Sequence, residues 1–333
     1  MNIYDVSKKA NVSIATVSRV LNGNPNVSDK TRAKVMDVIE QLGYTPNVFA
    51  RGLGLNTIHT IGIMCSDSSD LYLADAIYFL ERDLRLNGYD AILCCTGYEL
   101  ETKQKYFDLL CSKRVDAIIL AGSKFIEMRP KDNAYILDGA EKIPIMLLNG
   151  FLEGHNIYST VCDDMAATYY ATSQLIQSGR KKILYLYTSA SYSGLNKLKG
   201  YQNALSDFKI SLGAEYIHQC SKDISAAKDL LVSLHSQGLE FDAILTSSDS
   251  LAAGAIKFAH GLGIQIPETL SVIGYNNSIL SRCTEPELTS VDSKVEALCT
   301  TTVNTLMGVF SGVNVPSRTT IAADLIKRAT TNF

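Results

Sequence analysis

The chain has no apolar run approaching the ~20 residues a helix needs to cross a bilayer, and no long apolar signal segment at its amino terminus. Both absences point to a cytoplasmic protein with no membrane partner. Metal and disulfide chemistry is equally short of material. The eight cysteines (Cys65, Cys94, Cys95, Cys111, Cys162, Cys220, Cys283 and Cys299) form no Cys-x-x-Cys pair. Several fall in apolar runs, the setting of buried free thiols. The five histidines show neither His-x-x-x-His nor His-Glu-x-x-His spacing, so no metal site and no cofactor are expected. Enzyme signatures are missing too: there is no P-loop and no Gly-x-Ser-x-Gly. Gly52-Leu53-Gly54 lacks the third glycine of a dinucleotide fingerprint and precedes the first strand instead of following it. Asp163-Asp164 is an acidic pair, but carboxylates at a helix start commonly cap it. The chain is not expected to be an enzyme.

What is present describes a globular protein of two or three domains: 333 residues, 46% hydrophobic and 20% charged. The net charge of −3 by itself argues against nucleic acid, but its distribution does not. Residues 1–60 carry seven cations (Lys8, Lys9, Arg19, Lys30, Arg32, Lys34, Arg51) against four anions, giving +3. The remainder, with 24 cations against 30 anions, is −6. A basic head on an acidic body is a local electrostatic footprint for DNA.

The head begins with two short helical patterns separated by a polar turn. Val6 and Ala10 form one apolar stripe, and Val17, Val20 and Leu21 form another. Ser13 sits where an N-cap is wanted. This is the pattern of a helix-turn-helix, whose second helix enters the major groove. Its outward face is Ile14, Ala15, Thr16, Ser18 and Arg19. Ile14 and Ala15 suit a thymine methyl, and Arg19 suits a bidentate contact with guanine. Ser13, Thr16 and Ser18 suit phosphates. On spacing alone, an ordinary helical hairpin with an exposed arginine fits as well. A third helix follows Ser28, with Val35, Val38, Ile39 and Leu42 as its stripe and Gly43 as its end.

The stretches Tyr4-Asp5-Val6, Val12 to Asn22, Asn24 to Ser28, Leu42 to Asn47 and Ala50 to Leu53 resemble the head of the LacI/GalR family of bacterial transcription regulators. The resemblance implies DNA contacts from Tyr4, Asn22, Asn26 and Val27 as well. It also implies that Asn47 to Leu53, too short to be a stable helix alone, is a hinge helix. Paired with its dimer mate, that helix would place Leu53 in the minor groove, with Asn47, Ala50 and Arg51 beside it, and kink the duplex. The expected domains are a head over 1–46, a hinge and linker over 47–57 and a core over 58–333.

From Ile58 the pattern changes to short apolar runs alternating with helices. Strands are expected at Thr60–Met64, Ala91–Leu93, Ala117–Leu120, Ile145–Leu148, Ile183–Tyr187, Ala243–Thr246 and Ser271–Gly274. Such runs joined by helices mean parallel sheets covered on both faces, and their number asks for two α/β lobes. The core resembles the periplasmic-binding-protein-like core of the same family, through Thr60–Ile63, Val115–Ile119, Leu175–Gly179, Lys199–Leu205, Ile273–Asn277 and Pro286–Val291. The resemblance implies an N-lobe of about 58–160 and 291–318, a C-lobe of about 161–290 and 319–333, and a ligand cleft between them.

Ligands of open α/β sheets bind beyond the carboxyl ends of strands. The residues expected there include Asp67, Ser69, Tyr72, Ser123, Asn149, Asp163, Tyr192, Lys197, Asp249 and Asn276. These are hydroxyls, amides and carboxylates suited to polyols, with Tyr72 and Tyr192 able to stack on a sugar face. The chain departs from the family pattern here. Lys197 stands where an arginine is usual, Asn276 where an aspartate is usual, and Ser66 to Tyr72 does not follow the usual first loop. Two directional hydrogen-bonding groups are thereby lost.

The resulting expectation is a homodimeric repressor that binds a pseudo-palindromic DNA operator and answers to a small-molecule effector, a sugar or sugar derivative. Lys197-x-Lys199-Gly200-Tyr201 is also similar to the catabolite-control branch of the family, which a phosphorylated carrier protein regulates. That leaves a protein co-regulator as an alternative, although Thr300 to Phe310 lacks the arginine of that branch's docking helix. The core also fits a pure solute-binding protein, a reading that would leave the head unexplained. The absence of a leucine-heptad tail favours a dimer over a tetramer.

Overall fold

The computed structural model describes residues 2–21, 24–44 and 57–333. The chain divides into two compact units, one of residues 1–60 with 113–116, containing the head, and one of 61–112 with 117–333, containing the core sheets. In the head, α1 (Ile3–Ala10), α2 (Ile14–Leu21) and α3 (Asp29–Leu42) enclose a small core of Val6, Ala10, Val17, Val20, Val27, Val35 and Val38. The helices are short, so their ends matter. Asn2 and Asp5 form a reciprocal cap at the start of α1. Asn11, left-handed at φ 48°, closes it, and the Ser7 hydroxyl pins the turn by donating to the Val12 carbonyl at 2.8 Å. Ser13 accepts from the Thr16 amide at 3.1 Å, Ser28 caps α3 through the Thr31 amide, and Gly43 ends α3 in the left-handed region.

The core is built from β1 (Thr60–Cys65), α4 (Leu71–Leu86), β2 (Asp90–Cys95), α5 (Leu100–Ser112), β3 (Ala117–Ala121), α6 (Ala134–Ala140), β4 (Ile145–Leu148), β5 (Ile157–Cys162), α7 (Asp164–Gln177), β6 (Ile183–Tyr187), α8 (Tyr192–Asp207), β7 (Ile217–Gln219), α9 (Ile224–Ser236), β8 (Ala243–Thr246), α10 (Asp249–Leu262), β9 (Ser271–Tyr275), α11 (Leu280–Cys283), β10 (Thr289–Asp292), α12 (Val295–Phe310), β11 (Arg318–Ile321) and β12 (Asp324–Ile326). Two six-stranded sheets result, ordered β11-β5-β4-β3-β1-β2 and β12-β10-β9-β8-β6-β7. Their central strands are buried along their length, as continuous apolar runs require. β12 runs antiparallel to β10, pairing Ser290 with Ile326.

Within each sheet the order reverses beside the first strand, between β1 and β3 and again between β6 and β8. A crevice opens at such a reversal, because the flanking helices leave to opposite faces. The chain passes between the sheets three times. The passages follow Cys162, Asp292 and Ile321. Strand pairing runs up to those points: Ile321 lies beside Cys162, and Val291 beside Tyr275.

One close approach explains the Gly200-Tyr201 pair. A Cβ on Gly200 of α8 would run into the carbonyl of Met165 and the amide of Tyr169 on α7. Tyr201 is fully buried, stacks on Tyr185 with ring centroids 5.1 Å apart, and donates to the Ile183 carbonyl at 2.7 Å. The cysteines are free, but not all buried: Cys95 and Cys283 are exposed, and Cys111 is half-buried. Cys65 and Cys95 have their sulfurs 3.6 Å apart.

Candidate DNA-binding head and inter-lobe cleft

The outward face of α2 matches the expectation from the sequence. Val17 and Val20 point into the head core, which leaves Ile14, Ala15 and Arg19 exposed and Thr16 and Ser18 half-buried. Ser13 and Thr16 hydroxyls pair with each other at 2.9 Å, so they enter any phosphate contact already oriented. Tyr4 is 66% exposed at the start of α1, and Asn26 is exposed in the turn before α3, its amide held by Asn24 at 2.9 Å. Val27 differs from the expectation. Its side chain is buried in the head core, so it fixes the α2–α3 turn and does not reach outward. Asn22, Asn47, Ala50, Arg51 and Leu53 lie outside the described residues.

In the core, the crevices of the two sheets face one cleft. The N-lobe contributes Ser66 after β1, Gly122, Ser123 and Lys124 after β3, and Asn149 after β4. The C-lobe contributes Thr188 to Lys197 around the start of α8, Lys222 after β7, Ser247 and Ser248 after β8, and Asn276 after β9. The cleft holds a cavity of about 90 Å³ and, beside it, one of about 230 Å³ that reaches Asp67, Ser69 and Ser278. The two share Asp70, Tyr72, Lys222, Ser248 and Asn276 as a common wall.

Several side-chain contacts among the described residues join the lobes around this cleft, including the following. Ser123 donates to the Ser191 hydroxyl at 2.9 Å, Lys222 forms an ion pair with Asp70, and Arg318 donates to the Tyr192 hydroxyl at 3.1 Å. Asn149, left-handed at φ 60°, donates to the Tyr72 hydroxyl at 2.9 Å and accepts from the Cys162 amide at 2.9 Å. Burial holds the Tyr72 hydroxyl well above its ordinary value, so it stays a neutral donor. Lys197 is buried, with its ammonium 3.6 Å from the Tyr275 ring centroid and one hydrogen bond, to the Ser247 carbonyl at 3.3 Å. Burial lowers its pKa from the ordinary lysine value.

Of the residues expected in the cleft, Tyr72, Ser123, Asn149, Lys197 and Asn276 line the smaller cavity, and Asp67 and Ser69 line the larger. Three behave otherwise. Asp163 caps α7 by accepting from the Ala166 amide and faces a different hollow beside Asp324. Tyr192 lies outside both cavities, bonded to Arg318. Asp249 borders the larger cavity, but its oxygens are taken by the Ser278 amide and by the hydroxyls of Ser278 and Ser290 at 2.5–2.8 Å. It positions those residues and has little left to offer a ligand. Lys124, Lys222 and Tyr98 were missed. Lys222 follows a strand of only three residues, whereas Lys124 lies just past Ser123 in a 3₁₀ turn after the clearly apolar β3.

A helix-turn-helix head joined to a two-lobed α/β core with a polar cleft defines a DNA-binding regulator. Residues 2–47 match the family described as bacterial regulatory proteins, lacI family, and residues 58–329 match the periplasmic binding proteins and sugar binding domain of the LacI family. The chain belongs to the LacI family of DNA-binding transcription regulators and is not an enzyme. It is similar to an HTH-type transcriptional regulator of Lachnoclostridium phytofermentans, 61% identical over all of both chains. It is also similar to Catabolite control protein A of Priestia megaterium, 31% identical over 87% of each chain. Among solved structures, the lac repressor dimer bound to operator and the anti-inducer ONPF has the same fold, with a TM-score of 0.88 at 23% identity over 99% of each chain.

Proposed function

We propose that the protein is a homodimeric repressor of a pseudo-palindromic operator, controlled by a small effector, a sugar or sugar derivative, in the inter-lobe cleft. The observation that carries this reading is a hydroxyl- and amide-rich cleft at the crevices of both sheets, bridged by Ser123 and Ser191. The match of residues 58–329 to a sugar binding domain supports the ligand class. In this reading each head lays α2 in the major groove, with Ile14, Ala15 and Arg19 at base edges and Tyr4, Ser13, Thr16, Ser18 and Asn26 at the backbone. Asn47 to Leu53 pairs with its counterpart in the minor groove, with Leu53 as the wedge. Tyr72, Ser123, Asn149, Lys197 and Asn276, with Asp67 and Ser69, hold the effector. An effector that binds one degree of lobe closure better than another shifts the population of DNA-competent dimers by that difference in affinity.

Selection of bound DNA from a random pool by the full-length protein tests this, followed by titration of the winning site with candidate sugars. The expected result is a palindrome with a flexible central step and an effector-dependent change in affinity. A palindrome that no small molecule affects would replace the effector with a protein co-regulator. No enrichment from a folded protein would overturn the operator reading.

A further inference from the structure

Charge is unevenly placed along the cleft. Lys124, Lys197 and Lys222 all line the smaller cavity, and Asp70, the one carboxylate lining it with them, is already paired with Lys222. The Lys124 ammonium lies 4.1 Å from the Tyr98 ring centroid and makes no ion pair among the described residues. Lys197 has three N–H donors but one carbonyl and one aromatic face as close partners, with Asp164 the carboxylate that most favours its charged form. A buried ammonium so poorly satisfied is costly unless something else completes its shell. Burial and the like charge of Lys222 lower the pKa of both Lys124 and Lys197, so each charge opposes the next across one small space.

Two helix starts add to the same field. Gly194, in the first turn of α8, lines the cavity, as does Ser248, the residue before α10, whose side chain makes no capping bond. The larger cavity has the opposite character, with Asp67 and Asp70 on its wall. The cleft is therefore polarised, cationic in the compartment of about 90 Å³ and acceptor-rich in the compartment of about 230 Å³.

We propose that the cleft takes an anionic polyol, a sugar or sugar acid carrying a phosphate or carboxylate, with the charged group held by Lys124, Lys197 and Lys222 and the hydroxyls directed toward Asp67 and Asp70. The proposal rests on the effector reading above and sharpens its ligand class. It also gives Lys222 a second role. An anion beside Lys222 competes with Asp70 for the same ammonium, so occupancy acts directly on a bridge between the lobes.

Isothermal titration calorimetry of the full-length protein with glucose, glucose 6-phosphate, glucuronate and inorganic phosphate tests this. At least one anionic probe should bind about tenfold or more tightly than glucose, as charge-assisted hydrogen bonds to a desolvated site require. The phosphate and carboxylate arms identify which anion the site takes. Lys124→Gln should remove most of that preference without changing the melting temperature. Lys197→Met should do the same, with circular dichroism confirming that it folds. Glucose binding as tightly as its charged derivatives, unchanged anion affinity in Lys124→Gln, or no binding of any of the three anions would each overturn the proposal. A neutral sugar that alters operator affinity would overturn it while leaving the effector reading intact. Failure of every sugar at both the cleft and the operator would end both.

Discussion

Ser123 of the N-lobe donates a 2.9 Å hydrogen bond to Ser191 of the C-lobe, and Ser191 in turn caps α8. One hydroxyl therefore joins the two lobes and fixes the start of a helix that lines the cleft. Ser123→Ala should cost about 1 kcal/mol of lobe closure and little global stability. Hydrogen exchange at residues 188–194 should rise while the melting temperature holds. Unchanged exchange would mean that the lobes stay closed without this bond.

Arg19 is exposed on the face of α2 opposite Val17 and Val20. Arg19→Ala should weaken operator binding by about 1–3 kcal/mol and relax one base position in each half-site. A uniform loss across all sequences, with a smaller salt slope, would make it a phosphate contact instead.

Val27 separates packing from contact. Val27→Ala should lower head stability by about 2 kcal/mol through the cavity it leaves, and operator affinity should follow only as far as the head unfolds. Differential scanning calorimetry and binding at low temperature resolve the two. Loss of affinity from a fully folded head would restore Val27 to the interface.

Gly200→Ala puts a methyl group against the backbone of α7, which cannot move aside as a side chain would. The expected loss is about 1–3 kcal/mol, visible as a lower denaturation midpoint. An unchanged midpoint would show that α7 and α8 can separate freely.

Affinity for an anionic ligand should depend on pH in a defined direction. Lys124 faces Lys222, Lys103, Asp70 and Asp67, and Lys197 faces Asp164, Cys162, Lys222 and Asp70, with burial the largest influence on both. Their pKa values lie below the ordinary 10.5, so the charged forms are lost earlier as pH rises. Binding should weaken on the alkaline side, beginning below pH 10.5. Stability moves the other way. The folded state binds fewer protons than the unfolded chain between the depressed values and 10.5, so these two lysines make unfolding harder as pH rises through that window. Calorimetric titrations between pH 7 and 10 would expose a flat response.

The central strands were legible because burial on both faces demands uninterrupted apolar residues, as in Ile145–Leu148 and Ala243–Thr246. The edges were not. Arg318–Ile321 is polar and half-exposed, and Asp324–Ile326 is only three residues long, so pairing rather than composition makes them strands. The same limit hid part of the cleft. Ser123, Asn149 and Asn276 follow strands that read clearly, whereas Lys222 follows Ile217–Gln219, which does not. A family pattern marks Val27 as a position that matters without saying whether it faces DNA or the head core, and its side chain packs into that core.

The three passages between the lobes have a mechanical consequence. They lie together in pairing terms, with Ile321 beside Cys162 and the Tyr275 hydroxyl donating to Asp164 at 2.6 Å. A seam of this kind favours rotation about it as the relative motion of the two lobes. In the proposed effector reading, an occupant of the cleft would be converted into the angle of that rotation, and differently shaped occupants would become comparable signals.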